Sequence, residues 1–362
     1  MRLTNIVLIF LFLISCKQET LLDVDVYRFE KELFDVDSLN IDNKLLTWDS
    51  DIHDFTIFYY KELLGVTEYK DIRSLILEGN YHPELAPQNR TIELSIQKEF
   101  PTLKEIELEI ERVFSNAINI LPDIVVPKKI VTVNGENIGG GMMFKRDTVV
   151  LCLDRYLGFD HYVNNSMYNG VPEYMMRGWE KEFIVRDIFE NWCNIQYDIY
   201  EKATFIDHLI YKGKIMYIMS ECLEGYEVQN ILRFSEEDMI WSRANEHNIW
   251  NEIIITQLLY DSDWQRFVSF FDPSPYTSGM PNDSPGRLGY FIGYQIVSSY
   301  MNQRHISPIE LMQDIDAQDI LLQSKYNGYK KDGIPLELPY RWIYLFLTIF
   351  VLYLIYKRYF IK

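Results

Sequence analysis

Residues 129–154 read KIVTVNGENIGGGMMFKRDTVVLCLD, and this stretch decides the fold class. Lys129 to Val133, Gly141 to Lys145 and Thr148 to Asp154 place β-branched and apolar residues between turn formers, the pattern of two or three short strands. Gly139, Gly140 and Gly141 between them suggest hairpin connections, so the expected sheet is a small β-meander. A phosphate-cradling loop is rejected for the same glycines, because no Lys-Ser/Thr pair follows them. Outward from this sheet the pattern turns helical on both sides. Upstream, Thr102 and Glu105 spell a T-x-x-E capping box after Pro101, and Leu103, Ile106, Ile110, Val113, Phe114, Ala117 and Leu121 share one face of a helix that stops at Pro122. Glu105, Glu107, Glu109 and Glu111 are its expected solvated side. Downstream, Phe183 to Trp192 and Asp207 to Met219 read as helices, and the stretch Ser235-Glu236-Glu237-Asp238 caps another that contains Trp241. The expected class is α+β, mostly helical: helices, a small sheet, then a C-terminal helical half.

The two ends make separate claims. Arg2, an apolar run from Ile6 to Ile14 that is too short to cross a bilayer, and Ser15 lead into Cys16, the pattern of a lipoprotein signal peptide over residues 1–15. Cleavage before Cys16 leaves a mature protein whose first sulfur carries a diacylglycerol, with palmitate-type acyl chains as the anchor. Residues 342–356, WIYLFLTIFVLYLIY, carry no charge and are followed by Lys357, Arg358 and Lys362, so they are expected to form a transmembrane helix with a basic cytoplasmic tail at 357–362. Gly- and Pro-bearing residues 327–341 are the expected linker. The intervening body then divides into an N-terminal helical region, 16–121, and an α+β body, 122–326. It lies in the periplasm, bound to membrane lipid through Cys16 and residues 342–356.

Composition narrows what that body does. With 48% hydrophobic and 15% aromatic residues over its 362 residues the chain can bury a full core in that body, and its net charge of −18 argues against nucleic-acid binding. Cys152, Cys193 and Cys222 form no C-x-x-C pair and are expected to be buried thiols. The histidines at 53, 82, 161, 208, 247 and 305 show no metal-binding spacing, and no G-x-S-x-G elbow is present. Asp207, His208 and Lys212 on one helix are the remaining acid–base set, a combination that arises readily by chance. The other marked stretch is Ser284 to Val297, SPGRLGYFIGYQIV. Here Ser284 is the expected N-cap with Pro285 at the first helical position, and Gly289 and Gly293 admit a close-packed neighbour. Arg287 is a candidate grip for a carboxylate, set against the plainer reading of a surface salt bridge.

The stretch from Ser284 to Met301, with Ile320 to Tyr326 (ILLQSKY), Tyr211 to Tyr217 (YKGKIMY), Glu246 to Trp250 (EHNIW), Val26 to Phe29 and the lipid-bearing Cys16, resembles the gliding-motility lipoprotein GldB family. The resemblance runs from about Cys16 to Lys330, with Ser284, Pro285, Gly286, Arg287, Gly289 and Gly293 as its signature. More distantly, the region is similar to predicted zinc proteases, whose helix carries two His four residues apart. On that alignment Arg186 stands at the first ligand, Asp187 follows it, Glu190 stands at the second, and Lys212 stands at the third. Arginine cannot coordinate zinc. At helical spacing Arg186 and Glu190 read instead as a salt bridge. The resemblance therefore implies a degenerate zincin-like domain with no metal, no cofactor and no catalytic residue. It implies a non-enzymatic structural or partner-binding component of the gliding machinery and its associated secretion, with other envelope proteins of that machinery as partners. The alternatives are a zinc metallopeptidase with atypical ligands and a periplasmic chaperone for exported adhesins.

Overall fold

The computed structural model of the protein describes residues 22–63, 66, 69–78, 87–135, 141–145, 147–164, 170–197, 199, 203–313 and 316–328. Four strands, β1 (Asp25–Arg28), β2 (Lys129–Val133), β3 (Gly141–Lys145) and β4 (Thr148–Cys152), form one mixed sheet in the order β1-β2-β4-β3. β1 and β4 both run parallel to β2, with Asp25 and Thr148 each in register with Lys129, and β3 lies antiparallel against β4.

This order corrects the expected meander, which would put β3 beside β2. The physical reason is in the strands themselves. Val149 and Leu151 of β4 join Ile130 in a core on one face, while Val150 and Cys152 join Val131 and Val133 in a core on the other. A strand apolar at successive positions is buried on both faces, which is the habit of parallel sheets covered on both sides. Gly139 and Gly140 lie outside the described residues.

The N-terminal face is covered by an aromatic cluster. Phe29 directly follows β1, and its ring meets those of Trp48, Tyr59 and Phe55 edge-on at 4.9, 5.3 and 5.4 Å. Trp48 comes from helix α1 (Ile41–Asp51). The opposite core is built from α2 (Pro87–Glu99), α3 (Lys104–Ile120), α4 (Ile184–Gln196), α5 (Phe205–Cys222), α6 (Glu236–Ile255), α7 (Leu288–Arg304) and α8 (Ala317–Ser324), joined by shorter turns.

Caps follow local chemistry except where tertiary contacts compete. The expected cap of α6 forms, and it is a reciprocal box between Ser235 and Asp238, at 3.0 and 3.1 Å. On α3 the expected box does not form: the helix starts after Leu103, and the Thr102 hydroxyl accepts from the Lys104 N–H at 3.2 Å. Its glutamates are not all solvated either. Glu111 is buried and receives the Val24 N–H at 3.4 Å, and Glu109 accepts from the Tyr226 hydroxyl at 2.6 Å.

Among the described residues no helix is long and apolar enough to cross a membrane. Residues 342–356 lie outside them, as do the signal segment 1–15, Cys16, the linker from 329 onward and the tail 357–362. The expected C-terminal span is therefore withdrawn from the fold class, which is α+β, mostly helical, around a four-stranded mixed sheet. The described start of the linker is packed: Gly328, at a φ of +74°, lies against the side chain of Trp250, whose ring meets that of Tyr326 at 5.1 Å.

Candidate functional site

The sequence IVRDIFENW at 184–192 makes one turn of α4 polar within an apolar surround, and that turn is buried. Arg186 is 1% exposed among Ile184, Val185, Ile188, Phe189 and Trp192. Its Nη1 lies 2.8 Å from Asp187 Oδ1 and forms a second ion pair with Glu190, one helical turn on, while its Nε donates to the Ile231 carbonyl at 2.9 Å. The other oxygen of Asp187 accepts from the Tyr156 hydroxyl at 2.9 Å and pairs with Arg233 at 2.9 Å. Arg233 donates to the Gly178 carbonyl and lies 5.1 Å over the Phe183 ring.

The ionisation of this group is collective. Burial pushes the Glu190 carboxyl upward, but Arg186, then Lys212 and Arg287, outweigh it and hold the group well below the usual carboxylate range. Burial likewise disfavours the Arg186 cation, and the charges of Glu190 and Asp187 more than offset it. The expected salt bridge is thus present but buried, where its loss costs far more than at a surface.

The signature stretch meets this cluster from the other side. α7 does not start at the expected Ser284 and Pro285. Ser284 is buried and its hydroxyl accepts from the Thr277 N–H at 3.3 Å, while the Pro285 carbonyl accepts from the Thr277 N–H at 3.1 Å and from its hydroxyl at 2.9 Å. With both occupied by that loop, the N-cap falls to Arg287, in the left-handed region at φ +61°. Gly286 abuts the Ser274 backbone, Gly289 the ring of Phe271 and the carbonyl of Phe270, and Gly293 the backbone of α5. Those three glycines build the fold. Arg287 instead reaches the cluster: its guanidinium lies 4.1 Å over the Tyr290 ring, and Lys212 lies 5.5 Å over the same ring while donating to Asn194 Oδ1 at 3.0 Å.

The two residue sets read separately in the sequence, Arg186, Asp187, Glu190 and Lys212 on one hand and the Ser284 to Gly293 signature on the other, therefore converge on one charged core. Above it opens a cleft of about 560 Å³ whose lining includes Trp179, Phe183, Arg233, Ser284, Gly286 and Arg287. Arg233 and Tyr156 were not legible in the sequence, since neither belongs to a motif and both reach the site by tertiary folding alone.

Other candidate chemistry does not assemble. Asp207 is the capping partner of Thr204, accepting its N–H at 2.7 Å, and His208 packs on Trp264, Phe267 and Phe271, where burial lowers its pKa. Cys152, Cys193 and Cys222 are free and buried, and burial raises all three thiols. Among the described residues no group of three or more His, Cys, Asp or Glu is placed to hold a metal.

Fold and site define a helical α+β protein whose charged core is an arginine-clamped pair of carboxylates. The chain belongs to the family of the gliding motility protein GldB, whose family model matches residues 15–328. That match bears out the resemblance read from the signature, spans both halves of the charged core, and places the chain in a lipoprotein-type family associated with gliding motility. No curated protein and no solved structure matches the chain. The expected zincin-like domain accordingly finds no support from a known fold and is dropped.

Proposed function

We propose that the protein is a non-enzymatic lipoprotein of the cell envelope, anchored by acyl chains on Cys16 with its body in the periplasm, and that it serves the gliding apparatus by binding a partner protein. One observation supports this reading most: both carboxylates of the charged core are committed to guanidinium groups. Both oxygens of Asp187 are occupied by Arg186, Arg233 and Tyr156, and Glu190 is held ionised by Arg186, Lys212 and Arg287, far from the near-neutral titration that suits a general base. The buried thiols are poor nucleophiles for a different reason: burial disfavours the thiolate and raises their pKa.

Complementation in a gliding bacterium deprived of its own copy tests the anchored reading. Wild type restores spreading colonies, whereas Cys16→Ala, which cannot take the lipid, leaves the protein unattached and the colonies compact. Spreading by Cys16→Ala at wild-type protein levels overturns the lipid anchor. For the non-enzymatic reading, metal is measured in the full-length protein purified without a metal-binding tag. Near-stoichiometric zinc, with peptide cleavage lost on strong chelation, overturns it.

A further inference from the structure

Four cations, Arg186, Lys212, Arg233 and Arg287, surround two carboxylates, Asp187 and Glu190, so the core of a protein with a net charge of −18 carries an excess of positive charge. Three of its donors are unspent: Arg186 Nη2, Arg233 Nε and Arg287 Nε are buried with no hydrogen-bond acceptor. Unsatisfied buried donors are rare in folded proteins and call for a cause. Arg287 stands out among the three. Like Arg233, at φ +58°, it lines the cleft from a backbone in the left-handed region, here φ +61°, where glycine would be free of strain, but unlike Arg233 its guanidinium makes no ion pair or hydrogen bond among the described residues. A non-glycine residue held in that region at the mouth of a cleft is the kind of outlier from which function is inferred.

We propose that this cleft binds a single carboxylate group presented by a peptide, with the guanidinium groups of Arg287 and Arg233 as its contacts. Arginine suits this task because its planar fork matches a carboxylate with two parallel hydrogen bonds. The rim selects against larger anions. Glu182, Glu236 and Asp283 are exposed around the opening against one exposed cation, Arg177, so a phosphate or polyanion is repelled while one carboxylate flanked by a basic residue is accommodated. The volume of about 560 Å³ lies in the range of ligand clefts, and Trp179 and Phe183 offer apolar wall for a short peptide. The source is the free C-terminus or an acidic side group of a partner protein. The proposal deepens the partner-binding reading and rests on it only for that source.

The test is calorimetric titration of the full-length protein in detergent with four probes: acetyl-Lys-Ala-Ala as free acid, the same peptide as C-terminal amide, acetyl-Lys-Ala-Glu-Ala-amide, and inorganic phosphate. The expected result is saturable binding of the free acid or of the internal glutamate, whichever is the natural source, with the carboxylate-free amide weaker by at least about tenfold. Arg287→Gly relieves the backbone strain but also removes one countercharge of Glu190, two effects of opposite sign, so its melting temperature is expected to stay close to wild type while binding falls by at least about tenfold, and Arg287→Lys falls between. A purely structural Arg287 would show the opposite pairing. Binding of the carboxylate-free amide as tight as that of the better carboxylate peptide, tighter binding of phosphate, or no binding of either carboxylate peptide at about 10 mM overturns the proposal. Because the titration needs no motility, its failure leaves the lipoprotein reading intact, and failure of the complementation leaves the cleft's ligand intact.

Discussion

Where α5 crosses α7, Gly213 and Gly293 face each other with no room for a side chain on either. A Cβ on Gly213 would lie 2.5 Å from the carbonyl carbon of Gly293 and 2.8 Å from Val297 Cγ2, and one on Gly293 would run into the Leu209 carbonyl oxygen. These are mostly backbone atoms, which cannot swing aside, so the helices must part. Gly213 and Gly293 also place Lys212 and Tyr290, their near neighbours, at the charged core.

Gly213→Ala and Gly293→Ala are therefore each expected to cost more than the roughly 1 to 3 kcal/mol of ordinary overpacking. Circular-dichroism melting checks this. A shift smaller than about 2 °C in either variant would show that the crossing tolerates separation.

Arg186→Met leaves Glu190 buried without its nearest countercharge, and Asp187 with Arg233 alone. The expected loss is about 3 to 5 kcal/mol in urea unfolding. Replacing Glu190 as well, with Leu, should recover part of it, since an apolar pair carries no desolvation penalty. The sign for Glu190 follows from its depressed folded pKa: its contribution is present above the ordinary carboxyl value and is lost as pH falls below it. A single variant that loses under about 1 kcal/mol would mean that water reaches the cluster.

Glu93 behaves oppositely. It is buried on α2, and burial, then the negative charge of Glu30, raise its carboxyl to about 7. The folded state holds this proton more tightly than the unfolded state does, so stability declines as pH rises from about 4.3 through 7 and stays lower above. Glu93→Gln should thus gain about 2 to 3 kcal/mol over wild type at pH 8 and nothing at pH 4. Equal gains at both values would trace the effect to packing instead of charge.

Cys152, Cys193 and Cys222 are expected to resist thiol reagents in the native protein, because burial excludes the reagent and disfavours the thiolate, pushing Cys222 up to about 12. All three should react after unfolding in denaturant. Rapid native labelling of any one would place it at the surface.

How far the site was legible depended on how local its causes are. The spacing of Arg186 and Glu190 announced an ion pair, and the four-residue spacing of Gly289 and Gly293 announced a close approach, because one turn of helix dictates both. Nothing local said that the pair is buried, or that Arg287 stands over the Tyr290 ring as Lys212 does. Ser284 is a good N-cap by composition, yet the Thr277 loop takes its hydroxyl, and the left-handed N-cap passes to Arg287.

By itself the sequence determined what short-range physics controls: the apolar face of α3, the cap of α6, three of the four strands, the burial of the thiols and, through its signature, the family. Tertiary structure decided the rest. β1 and β2 pair across about a hundred residues, and β4 displaces β3 from the side of β2 because strands apolar at successive positions need cover on both faces. The charged core likewise exists only where α4, α5 and α7 meet. A residue pattern specifies which face of an element avoids water, but the partner that covers it is selected by the packing of the whole molecule.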